Sequence, residues 1–115
     1  MARTEQQQKG QQGEDDALEH LLRHGLTLVD RNFRCNGGEL DLIMRDGGHL
    51  VFVEVRRRRG KDYGGAAASI TPAKQRRMKN AAQVFLLRYP KLPPCRFDVI
   101  AIDGGEIAWL KNVLE

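Results

Sequence analysis

Four side chains in two short runs carry most of the chemistry this sequence offers. Glu39 and Asp41 lie in Glu39-Leu-Asp-Leu-Ile-Met-Arg45, and Glu54 and Arg56 lie in Leu50-Val-Phe-Val-Glu-Val-Arg-Arg57. Both runs read as strands. Asp46-Gly47-Gly48-His49 between them reads as a hairpin turn, because glycine reaches positive φ without strain. With Gly47 and Gly48 as the loop, Asp46 pairs with His49. Counting back places Asp41 opposite Glu54 and Glu39 opposite Arg56, all four on one sheet face. Directly paired residues hold their Cβ atoms ~4.5–5.5 Å apart.

Two carboxylates facing each other across a ladder repel, and Glu54 is embedded in Val51-Phe52-Val53-Glu54-Val55, where an unpartnered charge is costly. A hard divalent cation such as Mg²⁺ answers both difficulties, because it takes one or two carboxylates together with water and phosphate oxygens. Ion pairing to Arg56 or Arg34 is the alternative that the spacing leaves open.

The cations are concentrated as well. Arg56, Arg57, Arg58, Arg59, Lys61, Lys74, Arg76, Arg77 and Lys79 face only Asp62 in their segment. That segment carries +8 in a chain whose total is +4, so the remainder carries −4. Such a centre suits a polyanion, most commonly nucleic acid; a solvated charged surface is the competing reading. The 115 residues suit one domain. With 41% hydrophobic and 30% charged residues the composition is that of a globular protein. No apolar run approaches the ~18–20 residues of a membrane span. The N-terminal residues lack the apolar core of an export signal, so a cytoplasmic setting is expected. There Cys35 and Cys95 are free thiols that pack as small buried hydrophobes.

The elements that must position these groups can be read from pattern and punctuation. Residues 1–12 are Gln-rich without apolar periodicity and read as a disordered polar tail; residues 13–115 form the domain. Ala17, Leu18, Leu21 and Leu22 predict a helix over about 14–24 stopped by Gly25. A strand over 26–35, irregular near Asp30–Asn32, precedes the turn at Asn36-Gly37-Gly38 and the two hairpin strands. Residues 60–70 read as a mobile loop. Thr71-Pro72 opens a second helix, as cap and first-turn proline. Its buried stripe is Met78, Ala81, Ala82, Phe85 and Leu86, and Pro90 ends it. Cys95–Asp103 is a strand, Gly104-Gly105 a turn, and Glu106–Leu110 a short strand. The order is α-β-β-β-α-β-β, an α/β fold.

Gly38-Glu39-Leu40-Asp41-Leu42-Ile43 followed by Phe52-Val53-Glu54-Val55-Arg56 resembles the UPF0102 (YraN-like) family of small bacterial proteins. Gly13-Glu14 with Ala17, and Phe97-Asp98-Val99, extend the likeness over roughly residues 13–115. That family in turn resembles the PD-(D/E)xK nucleases, with a restriction-endonuclease-like core of a mixed sheet flanked by helices, similar to archaeal Holliday junction resolvases. The resemblance implies a Mg²⁺ or Mn²⁺ site made by Asp41, Glu54 and the Val55 carbonyl. It also implies that Glu14 is the helical glutamate of some such sites, although an acid favoured by the helix dipole explains Glu14 equally. Glu39 stands near the site or simply pairs with Arg56.

Arg56 departs from the pattern, which has lysine there. Arginine cannot act as a base, yet it can hold water or stabilise developing charge. Lys61 or Lys74 could reach in from the loop or the helix. The expected function is a Mg²⁺-dependent endonuclease hydrolysing phosphodiester bonds of DNA, branched or damaged forms included. Arg57, Arg58, Arg59, Lys61, Lys74, Arg76, Arg77 and Lys79 would hold the backbone, and a homodimer would suit cutting both strands. Two rivals stand beside it: a nuclease fold that binds nucleic acid without cutting, and a small interaction protein docking an acidic partner.

Other features are weaker. His20 and His24 have a metal-capable spacing without a metalloprotease context, and His49 sits at the hairpin tip. Trp109 and Tyr63 read as core or rim residues. Ser69 and Thr71 form no triad-like arrangement, and Gly64-Gly65 lacks the remainder of a P-loop.

Overall fold

An uninterrupted apolar run marks a strand covered on both faces, and Leu50, Val51, Phe52 and Val53 are all fully buried. They form the middle of the sheet in a computed structural model that describes residues 5–58 and 70–114, with side chains for 11–57 and 70–114. The elements run α1 (Glu5–Arg23), β1 (Thr27–Cys35), β2 (Gly38–Asp46), β3 (His49–Arg58), α2 (Pro72–Leu86), β4 (Cys95–Asp103) and β5 (Glu106–Leu110). The five strands make one sheet in chain order. Among the described strands only β3 and β4 are parallel; the other neighbours are antiparallel. The parallel step needs a crossover, and α2 lies within it. This is the α-β-β-β-α-β-β order that the sequence predicts.

The helices cover opposite faces. Ala17 and Leu21 of α1 pack on Leu42, Met44, Val51, Val53, Ile100 and Ile102. Met78, Ala81, Ala82 and Phe85 of α2 pack on Leu40, Ile43, Leu50 and Phe52. Along β3 successive residues thus alternate between the two helices, whereas in β2 Leu40 and Leu42, two apart, face opposite helices.

Helix α1 starts at Glu5, so residues 5–12 are helical where the apolar pattern predicts a polar tail. Gln, Glu and Lys are good helix formers without any core to bury. Gln11 and Gln12 also donate to Asp15 and Asp16 one turn on, at 3.0 and 3.1 Å. Gly25 (φ 90°) ends the helix in a Schellman motif: its N–H reaches the Leu22 carbonyl and the Leu26 N–H the Leu21 carbonyl, both at 3.1 Å. Strand β1 shifts register between Leu28 and Asp30, and Asn32 has φ 55°, which accounts for the irregular pattern there. Thr71 caps α2, accepting from the Lys74 N–H at 3.2 Å. The regular helix stops at Leu86, short of Pro90, and bonds from Leu87, Arg88 and Tyr89 to residues three earlier continue the winding to Tyr89. Cys95 is exposed and Cys35 half-buried, so neither is the buried hydrophobe expected. Cys95 opens β4 at the rim, before that strand reaches the core. The predicted loop over 60–70, apart from Ile70, lies outside the described residues.

Gly38 decides how close α2 comes to the sheet. A Cβ there would stand 2.3 Å from the Arg77 carbonyl oxygen and 2.7 Å from the Ala81 nitrogen, backbone atoms that cannot swing aside. Asn80 fixes the same junction by donating to the Gly37 carbonyl at 3.1 Å. Gly38→Ala is expected to lower stability by about 1–3 kcal/mol through overpacking. A lower urea midpoint with unchanged slope checks it.

Candidate active site

The contact at Gly38 places the first turns of α2 over the ends of β2 and β3. Glu39, Glu54, Ala73, Lys74, Arg77 and Met78 line a cavity there of about 190 Å³. Its acids come from the sheet and its cations from the helix. Lys74 is half-buried, whereas Arg76, Arg77 and Lys79 are exposed.

The predicted hairpin register holds from Asp46/His49 to Leu42/Val53 and stops there. One step further, Asp41 Oδ2 accepts the Val55 N–H at 2.8 Å. A side-chain oxygen thus bonds the β3 backbone at the step where regular pairing ends. Asp41 and Glu54 remain neighbours. Burial pushes the Asp41 carboxyl up to about 6, and the charges of Glu14 and Glu39 add to the rise, while the Val55 N–H and Lys74 oppose it. Burial likewise pushes Glu54 up to about 7; the Asp41 charge reinforces the rise and Lys74 and Arg56 oppose it. Two desolvated carboxylates sharing a site cannot both ionise cheaply.

The β2–β3 register does not set Glu39 against Arg56. Glu39 lies opposite Arg34 in the ladder with β1 and is 3.8 Å from both Arg34 Nε and Arg77 Nη2. The regular hairpin pairing that would have set Glu39 against Arg56 has ended by this point in β2. Arg56 instead stands 3.7 Å from Glu54 Oε1.

Glu14 reaches the site's edge from α1. Its Oε1 is buried without a hydrogen bond and lies 3.6 Å from Arg31 Nε, itself buried without one. Arg31 also pairs with Asp15. Among the described residues, no group of three or more His, Cys, Asp or Glu side chains is arranged to hold a metal ion. Of the acids here, Glu39 and Glu54 line the cavity, Asp41 neighbours Glu54, and Glu14 is held against Arg31. Two carboxylates fit Mg²⁺, which keeps several waters and needs no all-protein cage.

A profile of the family described as "Uncharacterised protein family UPF0102" matches residues 13–102. The chain belongs to UPF0102. A UPF0102 protein of Herminiimonas arsenicoxydans is 61% identical over 113 residues, covering 98% of this chain and 91% of that protein. One from Janthinobacterium sp. (strain Marseille) is also 61% identical over 113 residues, at 98% and 92% coverage. One from Cupriavidus necator is 56% identical over 110 residues, at 95% and 84%.

In this UPF0102 chain the basic segment is divided by the fold. Lys74 and Arg77 face the carboxylates, and Arg76 and Lys79 stand exposed on α2 outside the cavity lining. Arg57 lies on the other side, its Cδ 3.6 Å from where a Cβ on Gly13 of α1 would be. The side chain of Arg58, and Arg59 and Lys61 entirely, lie outside the described residues, as do Tyr63 and Ser69. Arg34, which the sequence offers only as an ion partner for the acids, lies opposite Glu39 through the β1–β2 register. His20 and His24 stack with ring centroids 4.4 Å apart beside the Trp109 edge. Trp109 itself donates to Asp98 at 2.9 Å, a rim role in keeping with its reading. Among the described residues, no helix is long and apolar enough to cross a membrane.

Proposed function

We propose that this UPF0102 chain is a divalent-metal-dependent phosphodiester hydrolase acting on DNA. The observation that carries the reading is the pairing of half-buried Asp41 with buried Glu54, both carboxyls raised by desolvation, beside a cavity with a cationic wall. Desolvated carboxyls with a specific charge partner beside a cleft cluster at functional sites. The resemblance of the Glu39–Asp41 and Glu54–Arg56 runs to the PD-(D/E)xK pattern agrees with it. Asp41 and Glu54 would hold Mg²⁺, with the Val55 carbonyl as a further oxygen and Glu14 available if Arg31 releases it. The metal supplies neutralisation of the phosphate and acidification of water. The chain's own cations then bind and orient the substrate. Arg77 and Lys74 meet the backbone at the cavity, Arg76 and Lys79 extend the track along α2, and Arg56 keeps its charge beside Glu54.

Arg56 favours a second reading, binding without hydrolysis, because guanidinium cannot take a proton from water. One experiment separates the two: linear, nicked and four-way-junction DNA incubated with Mg²⁺ or Mn²⁺, for the wild type and Asp41→Ala. Metal-dependent nicking lost in Asp41→Ala supports hydrolysis at this site, and cleavage that survives the substitution contradicts it. Tight binding without cleavage in either metal supports the second reading. If the four α2 cations each meet a phosphate, the slope of log K against log salt is about −3.6.

A further inference from the structure

The arginine on β3 leaves a hydrolytic site without an ammonium from its strand, and the fold supplies one from elsewhere. Of the α2 cations, Lys74 is drawn in to half-burial while Arg76, Arg77 and Lys79 remain exposed. It lines the cavity together with Glu54, whereas Arg56 does not. Its charge acts on both acids, favouring the ionised forms of Asp41 and Glu54 alike. The position is fixed from two directions. Thr71 and Pro72 set the first turn of α2, with the Thr71 hydroxyl bonded to the Lys74 N–H, and Gly38 lets that helix approach β2.

We propose that Lys74 is the catalytic ammonium of this site, delivered from α2 rather than from the strand that bears Glu54. The inference rests on the hydrolase reading above. Lys74 donates hydrogen bonds to a non-bridging oxygen of the phosphodiester and to the incoming water. The water oxygen bonds to phosphorus as one ester P–O bond breaks. The water's proton passes to solvent, and the departing sugar oxygen takes a proton from solvent to become a hydroxyl. Arg56 remains a fixed positive charge beside Glu54 and does not meet the reacting atoms.

The test compares wild type, Lys74→Met, Lys74→Arg and Arg56→Met in three measurements, after thermal melts establish that each is folded. These are single-turnover cleavage of nicked or four-way-junction DNA with Mg²⁺, binding of the same DNA with Ca²⁺, and Mn²⁺ binding by calorimetry. Lys74→Met is expected to slow cleavage by roughly 100-fold or more, the cost of losing one preorganised donor. Its DNA affinity should fall by less than about 10-fold, and it should bind Mn²⁺ a few-fold more tightly because a like charge has left the cavity. Lys74→Arg should recover part of the rate, and Arg56→Met should lose less than Lys74→Met. Cleavage by Lys74→Met within about 3-fold of wild type, or unchanged Mn²⁺ affinity, overturns the assignment and leaves the hydrolase reading standing. A wild type that binds Mn²⁺ and DNA but cuts nothing overturns the hydrolase reading, and the role of Lys74 falls with it.

Discussion

Glu54→Gln is expected to make the metal-free protein more stable, by about 3 kcal/mol at pH 8. Glu54 is 8% exposed, and burial together with the Asp41 charge lifts its carboxyl from 4.5 to about 7. The sign follows from which state ionises first. Below pH 4.5 the carboxyl is protonated folded and unfolded, and contributes nothing. Between 4.5 and 7 the unfolded chain ionises while the folded one resists, so stability falls as pH rises. Above 7 the full penalty is present. Glutamine keeps the shape and removes the charge, so the variant should match wild type near pH 4 and exceed it increasingly toward pH 8. Urea titrations at a series of pH values read this directly. A variant less stable than wild type at pH 8 would mean that Glu54 serves the fold rather than a site.

Asp98→Ala should do the opposite and cost about 3–5 kcal/mol, the usual loss when one partner of a buried pair is removed. Asp98 is fully buried, and three residues donate to its carboxylate. Arg96 Nε reaches its two oxygens at 3.1 and 3.2 Å, the Trp109 indole N–H reaches Oδ2 at 2.9 Å, and the Asn112 N–H reaches Oδ1 at 2.9 Å. Arg96 continues to Asp46 at the β2–β3 hairpin, at 2.9 Å. One carboxylate therefore joins β4, β5, the segment after β5 and the hairpin. Its loss leaves the Arg96 Nε–H, an indole N–H and a backbone N–H without their acceptor, and only Asp46 still pairs with Arg96. A fall in Tm of roughly 15 °C or more is expected. The contrast with Glu54 is the point: two buried acids in neighbouring strands differ because one is surrounded by donors and the other by a second acid.

That contrast also marks what the sequence discloses. Elements with strong local causes are legible. Gly25 ends α1, Thr71-Pro72 starts α2, and the glycine pairs close the hairpins at residues 47–48 and 104–105. The Asp41–Glu54 neighbourhood follows from counting back along the hairpin, because a tight turn fixes register. The counting fails at Glu39, where β2 no longer follows the regular ladder and α2 and β1 supply its partners. Polar helix is the second blind spot: residues 5–12 carry propensity without an apolar stripe, so periodicity passes over them. The third is long range. Lys74 is twenty residues from Glu54 along the chain, and only the close contact at Gly38 brings them to one cavity. Asp98 is visible as part of a motif, but its donors are known only once β4, β5 and the hairpin are placed together.

In the proposed function Asp41 and Glu54 together hold one divalent cation. Calorimetric titration with Mn²⁺ at pH 7 of the wild type, Asp41→Asn and Glu54→Gln tests it most directly. One site is expected in the wild type, with proton release to the buffer because metal binding requires the raised carboxyls to be ionised, and no binding is expected in either variant. A wild type that takes up no Mn²⁺, or two variants that bind it as the wild type does, would contradict it.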